Sequence, residues 1–281
     1  MSMQLRITHT TGYEYDGKAV TSYNEARLTP QTSPEQIVVH TRLDISPTPW
    51  TYTFRDYFGT QVTSFEVLDP HDSLTVSAHA TVHTNRSPLA APTLGWDDLA
   101  SPDVAEVHTE YLMLPDLVVP TTDLAAKIET IRGDSATPGE AATAVCRLVH
   151  DEVEYIPGAT QVHSRAAEAW EKRGGVCQDM AHLAIGGLRS LGIPARYVSG
   201  YLHPQSDPEV GATVQGESHA WVEWWDAGWH AYDLTNDQPI GDRHVVIAAG
   251  RDYGDVKPLS GIFSGTRTSR MFVNVEVTRL A

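Results

Sequence analysis

The stretch Gly174-Gly175-Val176-Cys177-Gln178-Asp179-Met180-Ala181-His182-Leu183 decides how this chain is read. Two glycines permit a tight, left-handed turn and let another molecule approach the backbone closely. A helix is predicted from Cys177 to Leu191, where Gly192-Ile193-Pro194 stops it. At its N-terminus the backbone N–H groups lack intrahelical partners, and the positive end of the helix dipole favours negative charge on the cysteine sulfur. The same N–H groups can stabilise the oxyanion that forms when sulfur attacks a carbonyl. One turn therefore supplies a nucleophile and part of its electrostatic support. Asp179 in the first turn reads as dipole compensation, and His182 as a packed helix histidine.

Moving upstream, Arg165–Lys172 is a predicted helix that ends in Arg173-Gly174-Gly175, and Thr121-Thr122-Asp123 opens another before Leu124–Ile128. Gly139–Val153 is amphipathic, with Ala142, Val145, Cys146, Val149 and Val153 on one face. Cys146, the second cysteine, sits mid-helix on that face and reads as core.

Downstream the periodicity changes to β: Ala195–Tyr201, His219–Trp225 and Trp229–Asp233, the last two joined by Asp226-Ala227-Gly228 as a hairpin. A final strand is expected over 271–279. Alternation places His219, Trp221 and Glu223 on one strand face, and the hairpin brings Asp233 within reach of His219. A thiol nucleophile needs a base, and the base a group that orients it. Singly, His219 reads as a surface strand histidine and Asp233 as a turn aspartate; with the Gly-Gly-Val-Cys turn they form a nucleophile, base and orienter. Trp221 is expected to line or shield the site. A zinc site at Cys177 is not expected, because no second thiolate stands at ligand spacing.

The first hundred residues read as β. Leu5–Tyr15, Gln36–Ile45, Thr51–Phe58, Val62–Leu68 and Ser73–His83 alternate polar and apolar, separated by Asp16-Gly17, Pro47 and Pro49, Gly59, and Asp69-Pro70. This suggests a β-sandwich-like module. His79 and His83 are too isolated to make a metal site. Residues 86–103 hold Pro88, Pro92, Gly95 and Pro102, so the reading divides the chain into a β-rich module, 1–97, and a core, 98–281, with the final strand free to pack on either. Helices followed by an antiparallel sheet make the second part α+β.

The 281 residues carry 36 acidic against 20 basic side chains, a net charge of −16. That balance excludes a non-specific grip on nucleic acid or an anionic membrane. Apolar stretches such as Leu112–Leu114 and Val245–Ala249 are too short to span a bilayer, and Met1–Arg6 lacks the apolar region of a secretory signal, so a cytoplasmic location is expected. Two cysteines make no disulfide scaffold. An exposed edge of the N-terminal sheet leaves a homo-oligomer open.

These residues resemble a known family. Gly174–Leu191 followed by Gly192-Ile193-Pro194-Ala195-Arg196-Tyr197-Val198-Ser199-Gly200-Tyr201 is similar to the nucleophile helix and next strand of bacterial transglutaminase-like proteins. Ser218-His219-Ala220-Trp221-Val222-Glu223 and Trp229-His230-Ala231-Tyr232-Asp233-Leu234-Thr235-Asn236 resemble its histidine and aspartate strands. Tyr155-Ile156-Pro157-Gly158-Ala159-Thr160 resembles the family's entry loop, and Gly250–Val256 a segment of its bacterial members. His9-Thr10-Thr11-Gly12-Tyr13 and Asn24–Pro30 resemble the β-rich N-terminal module of that subgroup. The resemblance implies a papain-like fold, no cofactor, a peptide or protein substrate, and the roles Cys177 nucleophile, His219 base and Asp233 orienter. Trp221, Tyr155, Gly175 and Gln178 are the candidate substrate contacts. The expected chemistry is a thioester at Cys177 resolved by water, which needs no second binding site; transfer to an amine, and a non-catalytic peptide-binding module, are the alternatives.

Overall fold

A computed structural model describes residues 2–87, 91–265 and 268–281; Met1 and Pro88 of the sequence reading lie outside them. The N-terminal part is β1 (Met3–Ala26), β2 (Gln36–Ser46), β3 (Trp50–Arg55), β4 (Gln61–Val67) and β5 (His71–Thr84). Helices follow: α1 (Trp96–Leu99), α2 (Pro102–Val107), α3 (Thr122–Asp134) and α4 (Pro138–Glu152). Then come β6 (Glu154–Tyr155), α5 (Ala166–Lys172), β7 (Gly174–Gly175) and α6 (Cys177–Ser190). The chain finishes with β8 (Ala195–Leu202), β9 (Thr213–Trp225), β10 (Trp229–Asp233), β11 (Gln238–Pro239), β12 (His244–Gly250), α7 (Tyr253–Val256), β13 (Leu259–Gly265) and β14 (Ser269–Arg279). Helices on an antiparallel sheet, with a β-rich N-terminal part, agree with the α+β reading.

The first strand is longer than expected. Asp16-Gly17 was to end it, yet the chain passes through an irregularity there (Gly17 φ 103°) and continues to Ala26. The reason lies in its partners. Its first half, from Leu5 to Tyr15, pairs with β14, and β5 covers its other edge. Its second half, from Ser22 to Ala26, pairs with β4 and β13. Each half pairs on both edges, on either side of the irregularity at 16–18, so the strand resumes beyond it.

Strand β14 joins the two parts of the sheet. One edge pairs with β1 and the other with β9, with Val275 opposite Gly216 and Thr278 opposite Thr213. The strand that carries His219 is thus continuous with the N-terminal sheet. β8 pairs with β9, and β12 with β8. The hairpin of β9 and β10 closes through Ala227 (φ 53°), with Trp225 opposite Trp229. Asp226 in that turn accepts the N–H groups of Thr93 (2.7 Å) and Leu94 (3.0 Å), pinning the predicted linker to the core.

The core gathers around α6. Leu183, Ile185 and Leu188 pack with Ile128, Val145, Cys146 and Val149 from α3 and α4, and with Ala220, Val222 and Trp224 of β9. Leu5, Ile7, Ala80 and Val82 of the N-terminal strands join the same apolar cluster. A second cluster around Phe65, Leu74 and Val76 fills the far end of the N-terminal sheet. Among the described residues, no helix is long and apolar enough to cross a membrane.

Candidate active site

The helix start falls where the sequence puts it. Val176 is the extended N-cap, and its N–H donates to Asp179 Oδ2 at 2.8 Å. The intrahelical bonds begin with the N–H groups of Asp179 and Met180, both donating to Val176 O. The N–H groups of Cys177 and Gln178 lie ahead of them, beside the half-exposed sulfur. The glycine pair works differently from expectation. Neither glycine is left-handed; the left-handed residue is Arg173 (φ 52°), the C-cap of α5. Gly175 instead pairs in parallel with Tyr155, and its missing side chain makes room for Asp179, whose Cβ and Oδ2 would lie 2.8 Å from an added Cβ. Gly175 is therefore a close-approach residue under the helix start, and its expected contact with substrate is corrected.

Strand β9 carries His219 to the mouth of α6. Its ring interacts with the Cys177 side chain, and its Nε2 stands 2.9 Å from Asp233 Oδ2. The approach is off-axis for a linear N–H···O bond, so charge and distance hold the pair; resting sites often show such loose alignment. Burial works against charge on His219, but Asp233 and Cys177 outweigh it and push its pKa up to about 10. Asp233 is fully buried. Burial alone would raise its carboxyl, yet His219, His244 and Asn236 hold it well below the usual carboxylate range.

His244 is the residue sequence reasoning missed. Its Nε2 lies 3.1 Å from the same Asp233 oxygen, and it is 1% exposed. The N–H of Gly241 donates to its Nδ1 at 3.1 Å, so Nε2 carries the proton and donates to Asp233. Burial pushes the pKa of His244 down against the pull of Asp233, keeping the ring neutral. Its only sequence signal is a histidine opening the apolar run Val245–Ala249, which does not distinguish it from an ordinary buried histidine.

The donor atoms of His219, Asp233 and His244 lie within 4.8 Å of one another. A metal-bound histidine donates from its second ring nitrogen, whereas the second nitrogen of His244 accepts. This cluster is arranged for hydrogen bonding, not ligation.

A cleft of about 520 Å³ opens at Cys177 and His219, with Tyr155, Gln178, Tyr197 and Tyr253 in its lining. Its opposite wall comes from the two ends of the chain: His9 and Thr11 of β1, and Met271, Val273 and Val275 of β14. A second cavity of about 440 Å³ shares Tyr155, Gln215, Glu217 and His219 with it, and adds Thr235 and Asn236. The Tyr155 hydroxyl donates to Glu217 between the two at 3.4 Å. Tyr155 and Gln178 thus sit in the cleft, although the Gln178 amide is committed to Val162 O at 3.1 Å. Trp221 does not. It is fully buried, packed edge-on to His244 with ring centres 5.5 Å apart, so it supports the site from beneath and its expected contact with substrate is corrected. His182 is likewise fully buried, accepting the Tyr253 N–H at 3.1 Å. A larger cavity of about 730 Å³ between α3 and α4 shares no lining residue with the cleft.

Comparison with known proteins gives this geometry a family. Residues 5–83 match the model of the bacterial transglutaminase-like N-terminal region, and residues 124–234 that of the transglutaminase-like superfamily. An uncharacterised protein of Mycobacterium leprae is 42% identical over 278 residues, 99% of each chain. The chain belongs to the transglutaminase-like superfamily. A candidate cysteine protease from Cytophaga hutchinsonii has the same fold, with a TM-score of 0.79 at 22% identity, covering 100% of this chain and 92% of that one. A protein-glutamine gamma-glutamyltransferase of Pseudomonas aeruginosa is 34% identical over 95 residues, 32% of this transglutaminase-like chain and 14% of that protein.

Proposed function

We propose that the protein is a thiol-dependent acyl-transfer enzyme that forms a thioester at Cys177 and hydrolyses an amide bond in a peptide or protein. The observation that carries this reading is one chain of contacts at the cleft: Cys177 to His219, and His219 to Asp233 at 2.9 Å. With its proton already resting on His219, Cys177 Sγ attacks the amide carbonyl. The N–H groups of Cys177 and Gln178, ahead of the first intrahelical bonds, face the developing oxyanion. His219 then protonates the departing amine and the C–N bond breaks. The thioester is opened by water, which gives its proton to His219; the acid departs and the Cys177 sulfur is left paired with the protonated His219. Asp233 stays ionised throughout and holds the imidazolium.

Transfer to an amine is the second reading. The cavity of about 440 Å³ beyond His219, with Glu217 in its lining, gives room for an acceptor other than water. Incubation with a peptide library, with and without a primary amine, separates the two by product mass. A gain of one water per cut supports hydrolysis, and an adduct lacking ammonia supports transfer. No turnover together with a Cys177 that iodoacetamide labels no faster than a model thiol would leave a peptide-binding module instead.

A further inference from the structure

The N-terminal β-rich region reaches the reaction centre by a route separate from the cleft wall. Thr84 Oγ1 donates to Asp242 O at 2.6 Å, and the Arg86 N–H to Asp242 Oδ1 at 2.8 Å. The Arg86 guanidinium donates to Gly241 O (3.1 Å) and His244 O (3.3 Å) and pairs with Glu35 at 2.6 Å, its side chain 7% exposed. Gln36 exchanges two bonds with the backbone of Val246, donating to its O at 2.9 Å and accepting its N–H at 2.8 Å. All four residues lie at one end of the N-terminal sheet, and together they grip 241–246. That segment presents the Gly241 N–H to His244 Nδ1, and His244 Nε2 to Asp233.

We propose that His244 is a positioning residue for the Cys177–His219 pair, and that the N-terminal region acts on the reaction centre through it by clamping 241–246 with Arg86 and Gln36. Three groups converge on Asp233 Oδ2: the His219 ring nitrogen through charge and proximity, and His244 and the Asn236 side chain (2.8 Å) as hydrogen-bond donors. Asn236 lies three residues along the same turn and moves with Asp233. His244 comes from another strand and fixes the carboxylate against rotation. The groups facing His244 are Asp233, His219 and Arg86, with the Trp221 ring over its edge. With the carboxylate fixed, His219 keeps its proton and holds the Cys177 sulfur ready for attack. Without it, that support weakens where the imidazolium is needed most, at neutral and mildly acidic pH.

The inference rests on the acyl-transfer reading, but its test needs no substrate. Iodoacetamide labelling of Cys177 in the full chain is followed by mass spectrometry from pH 5 to pH 10. His244→Phe keeps a ring and loses the donor; its labelling rate at pH 6 falls about tenfold or more, as expected for a lost hydrogen bond to a charged group, while at pH 10 it matches the wild type. His244→Gln, which keeps an N–H of similar reach, restores most of the rate. Arg86→Met reproduces the His244→Phe profile, and the double variant is no slower than His244→Phe alone. A wild-type profile in His244→Phe, or additive losses in the double variant, overturns the inference. Unfolding would instead raise labelling of Cys146 along with Cys177, and in that case the comparison of Arg86→Met with His244→Gln decides. Should wild-type Cys177 label no faster than a model thiol at pH 6, the acyl-transfer reading itself fails, independently of His244.

Discussion

Two cysteines in this chain meet opposite environments. Cys146 is fully buried in α4, where burial pushes its thiol far up and leaves it inert. Cys177 is half-exposed at a helix start and interacts with a histidine that Asp233 keeps protonated. The difference yields a prediction at the scale of single residues. His219→Ala lowers turnover by on the order of 10²–10⁴-fold, the usual contribution of a positioned acid–base group, and leaves circular dichroism unchanged. Cys146→Ser leaves turnover and Cys177 labelling within about twofold, since that side chain touches only core. Full turnover in His219→Ala would remove it from the chemistry. The pH dependence follows from the same residue. With its pKa pushed up to about 10, His219 is charged across the neutral range and loses its proton only as pH rises through about 10. Turnover therefore keeps its alkaline limb near pH 10, and a limb near the ordinary histidine value would contradict the pairing.

At the scale of elements, α6 is built to be approached closely. A Cβ on Gly186 would lie 1.9 Å from Val118 O, a backbone atom that cannot swing away. Alanine favours helix by about 1 kcal/mol, but forcing backbone apart costs about 1–3 kcal/mol or more, so the clash wins. Gly186→Ala should lower the melting temperature, whereas Gly133→Ala in α3, with open space around its Cβ position, should raise it slightly. Thermal melts of both variants check the pair, and equal shifts would refute it. The same element shows what the sequence can and cannot say. Its start, its cysteine and the β9–β10 hairpin are encoded locally, in a capping position, a helix stop at Gly192-Ile193-Pro194 and a short turn, so these parts were legible. The meeting of β1 with β14 and of Arg86 with His244 spans more than 150 residues, and no local pattern carries such contacts. Trp221 failed for a related reason. Alternation puts Trp221 on the face of His219 but does not say how deep it lies, and here it is buried with Val198 and Ala231 and packed against His244.

For the whole molecule, the buried histidines set the response to acid. His9 bonds the Tyr201 hydroxyl through Nδ1 at 2.8 Å, and burial lowers its pKa to about 4; His182, under the Tyr197 ring, is lowered to about 3, again by burial. In the unfolded chain both protonate near the ordinary value of about 6.5. Below that value the unfolded state binds more protons, so the stability these groups contribute is complete above about pH 6.5 and is lost as pH falls toward 4 and 3. At pH 5 each has lost about 2 kcal/mol, at 1.36 kcal/mol per pH unit. His219 runs the other way: its pKa is raised, so its contribution is complete below about 6.5 and fades as pH climbs toward 10. Asp233, held low, adds its own loss only below about pH 4. The fold is therefore most stable near neutrality. Urea titrations at pH 7 and pH 5 should differ by about 3 kcal/mol, the loss from His9 and His182 less about 1 kcal/mol from His219, and His182→Gln, whose amide oxygen can still accept the Tyr253 N–H, should shrink that difference by about 2 kcal/mol. Equal stability at the two pH values would mean that His9 and His182 are not buried as neutral rings. The cleft wall at His9 and helix α6 at His182 would then need another explanation for how they are held together.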